Sequence, residues 1–163
     1  SGRVSLAGHG IDSVTARERT ALRLEHVGVV FQHFHLLASL SARANVATPL
    51  IERGDSKQQR RARATTLLEQ VGLGNRTTHT PSELSGGEQQ RVAVARALAT
   101  APDLVIAYEP TGELDTATGE RVLDVFADVA TDRAVIIASH DPQVLDRVDR
   151  VIRLRDGRRV TDA

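Results

Sequence analysis

Two segments of this sequence combine residue types that do chemistry with spacings that would aim them. The first is Leu84-Ser85-Gly86-Gly87-Glu88-Gln89-Gln90-Arg91. A serine, two glycines and a glutamate three residues after the serine describe a helix start with a capping box, Ser85 at the N-cap and Glu88 at N3. The same features make an anion site, because a hydroxyl, amides unobstructed by side chains and the positive end of a helix converge there. The two readings are compatible. The second segment, Leu104-Val105-Ile106-Ala107-Tyr108-Glu109-Pro110-Thr111-Gly112-Glu113-Leu114-Asp115, begins 15 residues after Gln89. It reads as a buried strand ending in a carboxylate and a turn, and the carboxyl ends of parallel strands open on the crevice where α/β proteins bind ligands. Another apolar stretch, 134–138, ends in Ser139-His140-Asp141, so a titratable His140 is expected on the same rim. Taken alone, His140 reads more simply as a helix-start residue ahead of Pro142.

Positioning these residues requires an alternation of strands and helices. Residues 4–6 and 27–31 are short apolar runs of strand type, and Thr15-Ala16-Arg17-Glu18 between them has capping-box spacing for a short helix. Ala64, Leu67, Leu68 and Val71 recur at i, i+3, i+4 and i+7 after the polar stretch 53–63, an amphipathic helix expected to end near Gly72. A loop with Pro81 follows, and Val94, Ala97, Leu98 and Ala101 repeat the period up to Pro102. Beyond it, 104–107 and 134–138 are continuous apolar strands around a helix marked by Val122, Val125, Phe126 and Val129. Strands of that kind predict a parallel sheet covered on both faces. Residues 151–154 lead into Asp156-Gly157, a tight-hairpin signal that predicts an antiparallel tail. The layout is α/β at both ends with a mostly helical insertion at about 35–95.

Composition narrows the function classes. At 163 residues the chain is long enough for one domain, or one and a small lobe, with a genuine core. Lys plus Arg and Asp plus Glu each total 21, and this balance argues against the basic surface of a general nucleic-acid binder. Cysteine is absent, which excludes a disulfide framework, cysteine-ligated zinc and thiol catalysis. No apolar run approaches the ~18 residues that cross a bilayer. Methionine is absent too, so the chain as given does not begin at a start codon.

Together the chemical segments resemble the nucleotide-binding subunit of ABC transporters. Leu84–Gln90 in order matches the family's signature motif, 106–109 occupies the Walker B position, 112–115 looks like the D-loop, and His140 sits where the switch histidine belongs. Gln32, closing the strand 27–31, matches the Q-loop glutamine. Val30-Phe31-Gln32, Leu36-Leu37, Asn45-Val46, Pro49-Leu50 and Glu109-Pro110-Thr111-Gly112 most resemble the lipoprotein-release, macrolide-export and cell-division branch. The resemblance implies a partial P-loop NTPase fold: an α/β core at 1–34 and 96–163 with a parallel sheet, and a helical subdomain with the signature at 35–95. It also implies hydrolysis of ATP, with Mg²⁺, coupled to transport. Glu109 would polarise the attacking water, His140 would contact the γ-phosphate, and Gln32 would reach the metal and the water. Ser85, Gly86, Gly87 and Glu88 would face the nucleotide held by a second subunit, and Asp115 would cross the interface of that head-to-tail dimer. The implied partners are that second ATP-binding subunit and a transmembrane permease, with no nucleic acid, at the cytoplasmic face of the cell membrane.

Two departures qualify the match. The phosphate-binding pattern GxxxxGK[ST] has no counterpart in these residues, and Lys57, the sole lysine, follows no glycine loop. In relatives that loop lies upstream of the region matching 3–12, so the chain is expected to be N-terminally truncated, without the first strands of the core. The position before Glu109, usually an Asp that holds Mg²⁺, is Tyr108, a neutral phenol and a poor ligand for a hard cation. Losing one such preorganised contact costs roughly 10²–10³ in rate. These 163 residues alone are therefore expected neither to bind MgATP tightly nor to hydrolyse it. The alternative is a silent partner that lends its signature to an intact subunit. DNA-repair and chromosome ATPases share the signature but insert long coiled coils, whereas Gln32 and Ser85 are 53 residues apart. His33 and His35 lack a third ligand and read as groove residues facing the permease, Arg60, Arg61 and Arg63 as a solvated helix face, and Phe31, Phe34 and Phe126 as core or groove.

Overall fold

A computed structural model describes residues 2–160. Short strands β1 (Ser5–Leu6) and β2 (His9–Gly10) form an antiparallel pair ahead of helix α1 (Ala16–His26). Helix α1 starts at the expected capping box: the Glu18 N–H donates to Thr15 Oγ1 and the Thr15 N–H to Glu18 Oε2 at 2.8 Å. Strand β3 (Val27–Val30) follows directly, one residue shorter than the apolar run.

Three helices come next. Helix α2 (Ala42–Arg53) contains Pro49, which has no N–H to offer the carbonyl four residues back. That carbonyl, of Asn45, accepts instead from the Thr48 hydroxyl at 2.8 Å. The Asn45 side chain is fully buried and fully used: Oδ1 accepts from the Leu37 N–H at 2.7 Å, and Nδ2 donates to the carbonyls of Leu37, Leu40 and Ser41. Helix α3 (Lys57–Gln70) buries Ala64, Leu67 and Leu68, and the chain leaves it through Gly72 at φ 74°. Arg63 is not on a solvated face. Its guanidinium donates to the carbonyls of Leu98 and Ala99, which lie past the end of helix α4 (Gly86–Ala97).

Strand β4 (Leu104–Tyr108), helix α5 (Thr116–Ala130) and strand β5 (Ala134–Ala138) complete a parallel sheet in the order β3-β4-β5. Its register aligns Val29 with Ile106 and Ile106 with Ile136. Val30, Val105 and Ala107 point into the core with Val92 and Val94 of α4 and Val122, Phe126 and Val129 of α5. Close contact between α4 and β3 depends on Gly28, where a Cβ would sit 2.3 Å from the Ala97 carbonyl oxygen. The opposite face departs from expectation. Val29, Ile136 and Tyr108 are 38%, 55% and 57% exposed, so among the described residues the sheet is covered on one side only. The physical reason is that α4 and α5 pack on the same side, and β5 is an edge strand with its central isoleucine turned away from both. A short helix α6 (Pro142–Leu145) leads to the predicted hairpin, β6 (Arg153–Arg155) and β7 (Arg158–Val160), turning through Asp156 and Gly157 at φ 51° and 72°.

Candidate functional site

Glu109 stands just past β4 in a left-handed conformation, φ 43°, which a non-glycine residue adopts only when its surroundings hold it. They do so from three sides. Its N–H donates to Ala138 O at 2.9 Å, its carbonyl accepts from the Gly112 N–H at 3.2 Å, and its carboxylate is claimed by the end of β5. Ser139 Oγ donates to Oε2 at 2.8 Å, while the His140 N–H and Nδ1 reach Oε1 at 3.2 and 2.7 Å. Two sequence stretches 30 residues apart thus meet as the adjacent strand ends anticipated from the sequence. Burial, the largest single influence on the Glu109 carboxyl, raises its pKa, but the bonds from His140 and Ser139 outweigh it and the net direction is down. His140 is pushed up from its ordinary 6.5, first by the hydrogen bond to Glu109 and then by the carboxylate's charge. The outcome is a pair in which each partner favours the other's charged form, with the histidine side chain 90% exposed and the glutamate side chain 14% exposed.

Ser139 was not singled out by its type or spacing, yet it orients the carboxylate and also accepts from the Asp141 N–H at 3.1 Å. Asp141 in turn receives the hydroxyl of buried Thr111 at 3.0 Å, tying the loop after β4 to the start of α6. The only sequence signal for these two was adjacency to Glu109 and His140.

Gln32 lies just beyond β3 and is brought to the same region: its Nε2 is 3.1 Å from where a Cβ on Gly112 would stand. The next residues of the two loops match in step. His33 Nδ1 meets Glu113 Oε1 at 2.6 Å, and Phe34 and Leu114 both lie against Gly86. Phe34 and His35 have φ of 59° and 48°, and Arg96 of α4 holds both, donating to the Phe34 carbonyl at 2.7 Å and the His35 carbonyl at 2.5 Å.

At the start of α4, Ser85 is exposed and the capping box is present: the Glu88 N–H donates to Ser85 Oγ at 3.3 Å and the Ser85 N–H to Glu88 Oε2 at 2.9 Å. With its oxygen serving the cap, the Ser85 hydroxyl proton stays free to donate to an anion. Glu88 is turned back on the helix and receives Arg76 Nε at 3.2 Å, which offsets its charge. The Ser85 N–H is the first cause of its lowered pKa. Gly87, by contrast, is buried: a Cβ there would stand 2.0 Å from Thr118 Cγ2 of α5. Asp115 is the N-cap of α5, accepting from the Thr118 N–H at 3.1 Å, and hydrogen bonding from Thr118 holds its pKa down. Among the described residues no hydrogen bond or ion pair joins Ser85, Glu88 or Asp115 to Glu109, His140 or Gln32, so within one chain the predicted residues form two groups.

An anion fits the α4 start, where the exposed Ser85 hydroxyl stands at the N-terminal end of the helix. Magnesium does not fit equally well. Among the described residues no three His, Cys, Asp or Glu side chains converge to hold a metal, and Tyr108 presents a neutral phenol on the open face of the sheet. His33 is engaged by Glu113, and its ring centroid lies 6.4 Å from that of His35.

Comparison with known proteins bears on the family and the fold. A family profile described as "ABC transporter" matches residues 1–112. The chain is 46% identical over 159 residues to a lipoprotein-releasing system ATP-binding protein of Novosphingobium aromaticivorans, covering 96% of this chain and 71% of that one. It is 45% identical over 163 residues to a macrolide export ATP-binding/permease protein of Bradyrhizobium diazoefficiens, covering 99% of this chain and 25% of that one. It thus spans a quarter of the macrolide export relatives' length. The ATP-binding cassette MJ0796, solved as a dimer in a post-hydrolysis state with ADP and Pi, superposes with a TM-score of 0.84 at 36% identity, over 96% of this chain and 70% of that one. Among the described residues no helix is long and apolar enough to cross a membrane.

Proposed function

The chain belongs to the ABC transporter family of ATP-binding subunits, and on that premise we propose that it contributes an ATP-binding and ATP-hydrolysing unit to a transporter whose membrane passage is formed by a permease. The unit works head to tail with a second ATP-binding subunit, at the cytoplasmic face of the membrane. Residues 1–34 and 96–163 act as the catalytic core, and 35–95 as the helical part that presents the signature. The observation that carries the reading is the Glu109 carboxylate, fixed at the end of β4 by Ser139 and His140.

In this reading Glu109 orients and polarises the attacking water, and its lowered pKa keeps it ionised at neutral pH. His140, exposed and with its protonated form favoured by Glu109, swings from Glu109 to the γ-phosphate when nucleotide arrives, freeing one carboxylate oxygen for the water. Gln32 reads the same space from the next strand. The exposed Ser85 hydroxyl and the start of α4 take the phosphates of ATP held by the other subunit. Gly87 serves that surface indirectly, by letting α5 approach. Asp115 crosses to the partner from its place at the start of α5. ATP would supply the reacting phosphoanhydride and Mg²⁺ its charge neutralisation, with Gln32 the residue that would reach the metal weakly.

A second reading is favoured by Tyr108: the chain is a non-catalytic partner whose signature completes the site of an intact subunit. Both readings predict one result. Labelled residues 1–163, mixed with an intact relative, are expected to associate with it in ATP but not in ADP. Ser85→Asp, which preserves the helix cap but brings an anion to the phosphates, is expected to weaken association at least tenfold. Sedimentation measures this, and absence of association in every nucleotide state rejects both readings. ATP turnover by residues 1–163 without the relative, abolished by Glu109→Gln, would reject the second reading and overturn the expectation that these residues alone are inactive.

A further inference from the structure

Gln90, one turn into α4, is completely buried, and a polar side chain in that position calls for a reason. Its Nε2 donates to the Pro110 carbonyl at 2.8 Å, but its Oε1 has no partner among the described residues. An apolar side chain of similar shape would fill the space without leaving that oxygen desolvated. Packing alone therefore does not account for the glutamine, whereas its N–H does. Pro110 follows Glu109 and has no N–H of its own, so its carbonyl is the single backbone hydrogen-bonding group that this residue offers to another element.

Besides the bonds to its carboxylate, three hydrogen bonds fix the backbone at and beside the left-handed Glu109. Those from its own N–H to Ala138 and to its carbonyl from Gly112 belong to the strand and turn on which it sits. The third, from Gln90 to Pro110, comes from α4, the helix that begins at Gly86 and is capped by Ser85. We propose that Gln90 is a positioning residue: it fixes the Pro110 carbonyl to α4 so that the orientation of the Glu109 carboxylate toward Ser139 and His140 follows the placement of the signature helix. The consequence, which rests on the function proposed above, is communication between two nucleotides. Ser85 serves the ATP of one shared site and Glu109 that of the other, and Gln90 is the direct side-chain link between their elements.

The test needs no nucleotide and uses residues 1–163. In Gln90→Leu and Gln90→Met the donor is lost together with the orphaned oxygen, so melting temperature is expected to stay level or rise. The readout is the imidazole titration of His140, followed by NMR. The groups facing that ring are Glu109 and Asp141, and its midpoint lies above 6.5 chiefly because of Glu109. In both variants the midpoint is expected to fall by at least half of the wild-type displacement, and to fall no further when Gln90→Leu is added to Glu109→Gln. Gln90→Glu, whose buried carboxyl stays protonated and donates an O–H to Pro110, is expected to restore it. A midpoint unmoved in folded Leu and Met variants overturns the proposal, as does an equal fall in the Glu109→Gln background. Failure of the ATP-dependent association described above would reject the function and leave this link untouched.

Discussion

At the scale of single residues, the Glu109–His140 pair sets a pH dependence whose sign follows from its two shifts. His140 has a folded pKa above 6.5, so its contribution to stability is complete below 6.5 and is lost as pH rises through the folded value. Glu109 has a folded pKa below 4.5, so its contribution is present above 4.5 and is lost as pH falls through the folded value. Both are in force together between 4.5 and 6.5. The melting temperature of the wild type is therefore expected to decline as pH rises from 6 to 8, and Glu109→Gln to lose most of that slope. An unchanged slope in the variant would show that His140 draws its charge stabilisation elsewhere. Glu88 behaves like Glu109 in sign: its cap and its contact with Arg76 weaken only in acid.

At the scale of elements, the start of α4 has two jobs that its sequence superimposes. Ser85 and Glu88 close the helix, while Gly86 and Gly87 would conventionally be read as a permissive, ligand-facing pair. Gly87 is instead a packing requirement, because Thr118 Cγ2 occupies the place of its Cβ at 2.0 Å. Gly87→Ala is expected to destabilise the fold by about 1–3 kcal/mol, measured by urea unfolding. Thr118→Ser, which deletes that methyl, is expected to recover most of the loss in the double variant while costing little alone. If the two substitutions simply add, contact with α5 is not what demands glycine here. Arg96 shows the same logic from the other end of α4, holding two consecutive residues, Phe34 and His35, in left-handed backbone beside Gln32.

At the scale of the whole molecule, one core among the described residues joins the sheet to the helices, and it lies on a single side of the sheet. Leu68 of α3 is fully buried in it, and Leu68→Ala is expected to cost ~2–5 kcal/mol. Ile136 is as apolar and sits in a central position of β5, yet it is 55% exposed. Ile136→Thr is expected to change stability by no more than about 0.5 kcal/mol. Comparable losses at the two positions, measured by thermal unfolding, would mean that the second face of the sheet is covered in solution.

Much of this was legible along the chain. The capping boxes at Thr15 and Ser85, the periodic helix around Leu67 and Leu68, the strands at 104 and 134 and the Asp156-Gly157 turn all rest on interactions within a few residues, so residue type and spacing suffice to state them. The same holds for the order of the chemical segments, from Gln32 through Ser85 and Glu109 to His140. What the spacing left open was settled by contacts between distant segments. A run of apolar residues cannot say whether one or both faces of a strand are covered, and only the placement of α4 and α5 on one side left Ile136 and Tyr108 outside. Spacing cannot distinguish a glycine that admits a ligand from one that admits Thr118, nor predict that Ser139 shares in holding Glu109 or that Gln90 reaches Pro110 from another element. These outcomes depend on which side chains meet after the chain folds, and close packing resolves such meetings on the scale of a single methyl group.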